Sequence, residues 1–138
     1  MSIAREVSTR STCGRKNVGA LIVRDKNILS TGYNGSIRGM AHCDEVGHDM
    51  RDGHCVRTVH AEANAITKVA RSFNSSNGAT LYVTASPCIE CAKLIIQAGI
   101  LRVVYGEPYH LEDGLNLLDR AGIEIVFCDK NKLSDGIE

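Results

Sequence analysis

The sequence is poor in aromatic residues and carries no net charge. It contains no tryptophan, and phenylalanine and tyrosine together make up 4% of its 138 residues. A platform on which successive bases stack needs several aromatic side chains. Lysine plus arginine and aspartate plus glutamate number 16 each, whereas proteins that bind nucleic acid usually carry a basic patch. The composition therefore argues against a nucleic-acid polymer as the partner.

Long apolar runs are also missing. No stretch approaches the roughly 20 apolar residues of a membrane helix, and the first residues lack the apolar core of a signal peptide. We therefore expect a cytoplasmic protein that does not contact a membrane. In that reducing compartment the six cysteines suit metal binding or catalysis better than disulfides. The length predicts a single domain over residues 1–138, with a short N-terminal segment (1–9) and a polar tail (129–138).

The strongest motif lies between His60 and Cys91. It reads His60-Ala61-Glu62 and, after a spacer, Pro-Cys88-Ile-Glu-Cys91. One histidine and two cysteines can hold a zinc ion and leave its fourth position to water, whose pKa then falls to about 7. Glu62 is not needed as a ligand and is free to move protons. His-x-Glu followed by Pro-Cys-x-x-Cys is typical of zinc deaminases.

Two alternatives remain for this motif. Cys-x-x-Cys at the start of a helix also occurs as a redox pair, although such a pair has no use for the upstream His-x-Glu. A purely structural zinc would recruit a fourth ligand from the loop before His60.

The hydrophobic pattern predicts an α/β domain. Predicted strands cover 18–23, 28–33, 79–84, 101–105 and 123–127, and the predicted helices cover 59–71, 88–98 and 111–121, with a short one near the N-terminus. Ser86 suits a helix N-cap and Pro87 the first helical position. The first two strands form a hairpin, and the strand–helix–strand order that follows predicts parallel pairing with right-handed crossovers. We expect three α/β/α layers around a five-stranded mixed sheet.

Residues 35–57 show no clear period and form a loop that is long for a compact domain. With Cys13, this loop offers four ligands for a second, structural zinc. The best four are Cys13, Cys43, His48 and Cys55. Alternatively, the cysteines are reduced and partly buried and the histidines are exposed.

Several strings along residues 10–127 resemble the deoxycytidylate (dCMP) deaminases of the cytidine deaminase superfamily. Two of them are Gly-Tyr-Asn-Gly at 32–35 and Cys-Val-Arg-Thr-Val-His-Ala-Glu at 55–62. These two strings point to the nucleotide branch, whereas the zinc motif alone indicates only the superfamily. The resemblance implies a cytidine-deaminase-like fold and hydrolysis of dCMP to dUMP with release of ammonia, which feeds dTTP synthesis.

The same resemblance implies roles for individual residues. Zinc would be bound by His60, Cys88 and Cys91. Glu62 would take a proton from the zinc-bound water, deliver it to N3 of the base and later protonate the leaving amine. Further substrate contacts would come from the Ala61 N–H and from polar and aromatic side chains near the site. These candidates are Asn34, Tyr109, Ser86, Asn17, Ser36, Arg38 and Arg57.

Some of these candidates also have a purely structural interpretation. Asn34 suits a turn that needs a positive φ, Tyr109 suits an exposed loop, and the arginines suit solvated surface positions.

The resemblance further implies a homohexamer that is activated by dCTP and inhibited by dTTP, with Mg²⁺ accompanying the triphosphate. The glycine-rich loop 32–39 is then a candidate for binding the effector phosphates. Two other functions stay open. One is deamination of another base, in free cytidine or in a tRNA adenosine, and the other is a catalytically silent, zinc-stabilised binding protein.

Overall fold

The computed structural model describes residues 1–12, 16–109 and 111–129. Its centre is a five-stranded sheet of order β2-β1-β7-β8-β9. The strands are β1 (Gly19–Arg24), β2 (Asn27–Tyr33), β7 (Thr80–Ala85), β8 (Arg102–Glu107) and β9 (Glu124–Phe127). β1 is antiparallel to β2 and β7, whereas β7, β8 and β9 are parallel. The predicted five-stranded mixed sheet is therefore confirmed.

A tight turn joins the first two strands. Asp25 and Lys26 both adopt positive φ, at 52° and 64°, as a two-residue hairpin turn requires to match the twist of its strands. The register then sets Ala20 opposite Gly32.

Helices cover both faces of the sheet. They are α1 (Ser2–Ser8), α3 (Ala61–Ala70), α4 (Ile89–Gln97) and α5 (Asp113–Arg120). One buried cluster joins α3, α4 and α5 to the sheet through residues such as Ile22, Leu81 and Val103. Their neighbours Leu21, Tyr82 and Val104 point to the other face, where they pack with α1. This alternation, which follows from the two-residue period of a strand, produces the three layers.

The predicted loop 35–57 contains short regular segments. These are β3 (Gly35–Ser36), α2 (Cys43–Val46), β4 (Met50–Arg51) and β5 (His54–Cys55), and a further short strand, β6 (Thr58–Val59), directly follows the loop. They were not predicted because elements of two to four residues are too short to show a period. Within the described ranges, no helix is long and apolar enough to cross a bilayer.

Candidate metal and substrate site

The strand β6 and the start of α3 position His60. The predicted helix start at Val59 is wrong, because Thr58 and Val59 pair with β3 and the helix begins at Ala61. His60 is the N-cap, with extended backbone (φ −66°, ψ 153°). The imidazole of His60 is therefore carried by the residue immediately before the first helical residue of α3.

A close contact between β2 and α3 supports this geometry. A Cβ atom on Gly32 would lie 2.3 Å from the Ala61 carbonyl oxygen and 2.6 Å from the Ala65 nitrogen. Only glycine lets the strand approach the first turn of the helix so closely.

The second half of the motif follows β7. The predicted N-cap at Ser86 and helix start at Pro87 are wrong: Cys88 is the N-cap, with ψ 171°, and α4 begins at Ile89. The Ser86 hydroxyl is used differently, as the acceptor for the N–H of Tyr109 at 2.6 Å. Cys91 lies in the first turn of α4 and is buried.

The described structure brings the three predicted metal ligands together. His60 Nδ1 lies 3.3 Å from Cys91 Sγ and 3.5 Å from Cys88 Sγ, and the three donor atoms are all within 4.8 Å of one another. Donors on one tetrahedral zinc, with a nitrogen at about 2.0 Å and sulfurs at about 2.3 Å, stand roughly 3.5–3.8 Å apart. The donor set and its spacing therefore fit zinc, with Nδ1 as the imidazole donor.

Hydrogen bonding within the trio sets its protonation. The Cys91 thiol donates to Cys88, and with help from His60 this lowers the pKa of Cys88 to about 3. The hydrogen bond to Cys88 and burial both raise the pKa of the Cys91 thiol. The contact with Cys88 raises the pKa of His60. The lowered pKa of Cys88 favours its thiolate, the form in which cysteine binds a metal.

Glu62 lies in the first turn of α3 and is 5% exposed. Burial raises the pKa of its carboxyl group to about 7, while His60 and the Cys91 thiol act in the opposite direction. A carboxyl group with a pKa near neutral exchanges a proton readily in both directions, as a general acid–base requires.

Asn34 holds the segment before β1. Its Oδ1 accepts the N–H of Val18 at 2.8 Å and its Nδ2 donates to the carbonyl of Lys16 at 2.5 Å. Asn34 does not adopt a positive φ, so the interpretation as a left-handed turn residue is wrong. The neighbouring candidate Asn17 is exposed.

Tyr109 and Ser86 meet at the loop that follows β8. Besides accepting from Tyr109, Ser86 donates its own N–H to the carbonyl of Glu107 at 2.8 Å. The Lys16 ammonium stands 5.7 Å from the centre of the Tyr109 ring. Lys16 was not among the predicted site residues, because only the folded chain brings it beside this loop.

The remaining candidates lie around β3 and β6. Within the described residues, Ser36 Oγ and Arg57 Nε are buried and have no hydrogen-bond partner. Arg38 is exposed. Arg57 is therefore not the fully solvated cation of the alternative interpretation, since part of its guanidinium is buried.

Three of the four predicted ligands of a second metal lie together. Ligand atoms of Cys43, His48 and Cys55 are within 4.8 Å of one another, and the two sulfurs are 3.6 Å apart. Cys13 lies outside the described residues. Such a cluster of two sulfurs and a nitrogen suits zinc.

Comparisons with known proteins agree on one family. The model of the cytidine and deoxycytidylate deaminase zinc-binding region matches residues 1–107. The chain is 47% identical to ComE operon protein 2 of Bacillus subtilis over 91% of its own length and 67% of that protein. It is 35% identical to the deoxycytidylate deaminase of Enterobacteria phage T4, covering 97% of this chain and 90% of that one.

A solved structure resembles the chain as a whole. The dCMP deaminase of cyanophage S-TIM5, determined in complex with dCMP and dUMP, superposes with a TM-score of 0.83 at 36% identity, covering 92% of both chains. The fold, the donor trio with its adjacent carboxyl group and these matches lead to one assignment. The chain belongs to the cytidine and deoxycytidylate deaminase zinc-binding family, and it is a deaminase, an enzyme of the hydrolase class.

Proposed function

We propose that this protein hydrolyses dCMP to dUMP and ammonia, supplying dUMP for dTTP synthesis. The observation that carries the proposal is the meeting of His60 Nδ1 with the sulfurs of Cys88 and Cys91 beside the buried carboxyl group of Glu62. The likeness to a dCMP deaminase that binds both dCMP and dUMP supports the choice of substrate. Zinc bound by the trio supplies the Lewis acid that activates water at neutral pH.

Glu62 carries the proton transfers in this scheme. Its carboxylate takes one proton from the attacking water and delivers it to N3 of the base, and then takes the proton that remains on the same oxygen and gives it to the leaving amine. Since the amine leaves as ammonia and the water oxygen stays on C4, one water is consumed for each dCMP. The pKa of Glu62, near 7, suits both halves of this cycle.

Other groups orient the nucleotide. The N–H of Ala61 lies in the first turn of α3, where backbone donors lack intrahelical acceptors, and it suits the carbonyl of the base. In this proposal Asn34 orients the base or the sugar through the segment before β1, which its amide holds, and Asn17 contacts the sugar or the phosphate. Tyr109, anchored through Ser86, closes the loop after β8 over the substrate, and Arg57 contributes polar contacts.

We further propose a second, structural zinc at Cys43, His48 and Cys55, with Cys13 as the fourth ligand. Three donor atoms already lie together, and β4 and β5 are too short to hold this region by themselves. A closed four-ligand site stabilises such a segment directly.

The proposal includes regulation and assembly. We infer a homohexamer that is activated by dCTP and inhibited by dTTP, each with Mg²⁺, and whose effector phosphates bind near loop 32–39. Ser36 Oγ, within this segment, is buried and has no hydrogen-bond partner among the described residues, which supports a polar ligand there. Titrating purified protein with dTTP at fixed dCMP tests the regulation, and a flat titration would contradict it.

The test of the main function is ammonia release by zinc-loaded protein from dCMP, cytidine and a tRNA anticodon stem-loop. We expect turnover of dCMP and little of the other two. Preferred turnover of cytidine or of the tRNA would replace the proposed substrate, and zinc binding without any turnover would favour a silent binding protein.

A further inference from the structure

The side chain of Asn64 joins two segments of the site. Asn64 is the fourth residue of α3 and is half-buried. Its Nδ2 donates to the carbonyl of Tyr33 at 2.8 Å and lies 3.4 Å from the carbonyl oxygen of Val59. The first distance is that of a normal hydrogen bond, whereas the second is longer and the contact correspondingly weaker. A carboxamide has two N–H donors, so one side chain can serve both carbonyls.

The two carbonyls belong to the peptides that precede two residues of the site. Tyr33 is directly followed by Asn34, and Val59 by His60. The backbone N–H of Asn64 also donates to the carbonyl of His60, at 2.9 Å. A single residue therefore holds the backbone on both sides of the metal ligand and, at the same time, the peptide before Asn34.

Asn34 and His60 occupy similar places in the fold. Asn34 is the single residue between β2 and β3, and His60 is the single residue between β6 and α3. We call these two residues the junction residues. Neither belongs to a regular element whose own ladder of hydrogen bonds would fix its position, so the placement of each depends on contacts made by its neighbours.

Other contacts dock β2 on α3 without reaching the peptides before the junction residues. The hydroxyl of Ser30 donates to the carbonyl of Ala65 at 2.8 Å, which is the same length as the bond from Asn64 to Tyr33. Both bonds join the same strand to the same helix. Ser30 therefore contributes to docking alone, whereas Asn64 contributes to docking and to the backbone beside the site.

We propose that Asn64 is a positioning residue that sets the spacing between the metal ligand His60 and the substrate-orienting residue Asn34. It acts through backbone carbonyls. Groups of a binding site have to be held within about 0.5 Å of their working geometry, so loss of the carboxamide should weaken metal binding and nucleotide binding together. The part of this inference that concerns the nucleotide rests on the proposed function.

The experiment compares Asn64→Ala and Asn64→Leu with Ser30→Ala as the matched control. Leucine branches at the same atom as asparagine but has no donor and no charge, so Asn64→Leu separates hydrogen bonding from the filling of space. Alanine and leucine both favour a helix more than asparagine does, so neither variant should weaken α3 through propensity. Ser30→Ala removes a hydrogen bond of equal length between the same two elements.

We expect both Asn64 variants to lose affinity for zinc and for dUMP. A buried carbonyl left without its donor corresponds to roughly a five- to a hundred-fold change in an equilibrium constant. Competition with a chromogenic chelator measures zinc affinity, and protein that also carries Cys91→Ala reports the zinc that is not bound by the trio. Calorimetry at saturating zinc measures dUMP, and KM for dCMP should rise in parallel. Ser30→Ala should stay within about twofold of the wild type in all three.

Melting temperatures of the zinc-free proteins show whether stability explains the result. Asn64→Ala and Ser30→Ala should melt at similar temperatures, because each loses one bond between β2 and α3, and only the Asn64 variants should lose affinity. Wild-type affinities in Asn64→Leu, equal losses in Ser30→Ala and Asn64→Ala, or a loss of only one of the two affinities would overturn the positioning role and leave the deaminase function standing.

Failure of the proposed function would look different. A wild-type protein that does not turn over dCMP would overturn the function. A lower zinc affinity in Asn64→Ala than in Ser30→Ala would then still support the role of Asn64 at the metal ligand, because that measurement needs neither the substrate nor turnover.

Discussion

At the scale of single residues, Glu62 shows how burial alters the chemistry of a carboxyl group. It is buried, and its pKa lies near 7 instead of in the usual range of a carboxyl group. Burying a carboxyl group in the core costs free energy, so its presence there indicates a function. Its environment thus prepares it for moving protons next to the metal ligands.

We expect Glu62→Gln to retain zinc and lose activity. The amide keeps the size of the side chain but cannot carry a proton between water and the base, so kcat on dCMP should fall by about 10²–10⁴. Ammonia release and zinc content by atomic absorption measure the two effects. Near-normal kcat in this variant would assign the proton transfer to another group.

Two buried cysteines allow a comparison at the same scale. Cys91 and Cys128 are both buried, at 3% and 4% exposure, but only Cys91 belongs to the trio. Cys91→Ala should remove one zinc per chain and abolish activity. Cys128→Ala should keep the full zinc content and activity and lose only about 1–2 kcal/mol of stability from the lost packing. Equal zinc contents for both variants would contradict the assigned site.

At the scale of elements, the site depends on how closely helices approach strands. Gly32 brings β2 against the first turn of α3, and a Cβ on Gly114 in α5 would lie 2.1 Å from the carbonyl of Pro87, next to Cys88. A glycine thus allows close backbone packing beside each half of the metal site. This explains how elements without any ligand still control the ligand geometry.

We expect Gly32→Ala to reduce zinc affinity as well as stability. The added methyl group forces α3 away from β2, which should cost roughly 1–3 kcal/mol and displace His60 from the two sulfurs. The adjacent Thr31→Ala, whose side chain points to the opposite face, is the matched control. Competition for zinc with a chromogenic chelator measures affinity, and unchanged affinity in Gly32→Ala would show that His60 does not depend on this contact.

At the scale of the whole molecule, the two clusters of metal ligands are attached to different parts of the chain. The trio lies at the starts of α3 and α4, while Cys43, His48 and Cys55 lie in the irregular region between β3 and β6. An ion bound by the trio would link the starts of two helices, and an ion at the second cluster would cross-link the irregular region itself, so zinc should stabilise the fold as well as enable chemistry.

Removal of zinc should lower the melting temperature. Zinc present at about 100 times its dissociation constant adds roughly 2.7 kcal/mol for each site, which corresponds to a change on the order of 10 °C for a domain of this size. Scanning calorimetry before and after chelation measures the change. Cys55→Ser should lose about half of the zinc and part of this stabilisation; a zinc content of one per chain that is unaffected by Cys55→Ser would exclude the second site.

The metal-site motif could be recognised in the sequence because each of its two halves is a short string of residues with distinctive chemistry. His60, Glu62, Cys88 and Cys91 were predicted by type and spacing, and the strands by short apolar runs and by β-branched and aromatic residues. The helix that carries Cys91 was predicted one or two residues too early. Serine and proline favour a helix start, but the tertiary structure uses Ser86 to hold Tyr109.

The amino-acid sequence by itself determined the ligand types, the acid–base group, the order of the strands along the chain and, through its resemblance, the family. Only the tertiary structure decided that Nδ1 of His60 faces both sulfurs, that Asn34 holds the segment before β1, and that Asn64 holds the peptide before Asn34. The physical reason is distance along the chain. Local patterns report the neighbours of a residue within a turn or a strand, whereas these contacts join residues 16 to 31 positions apart and exist only after the sheet has formed.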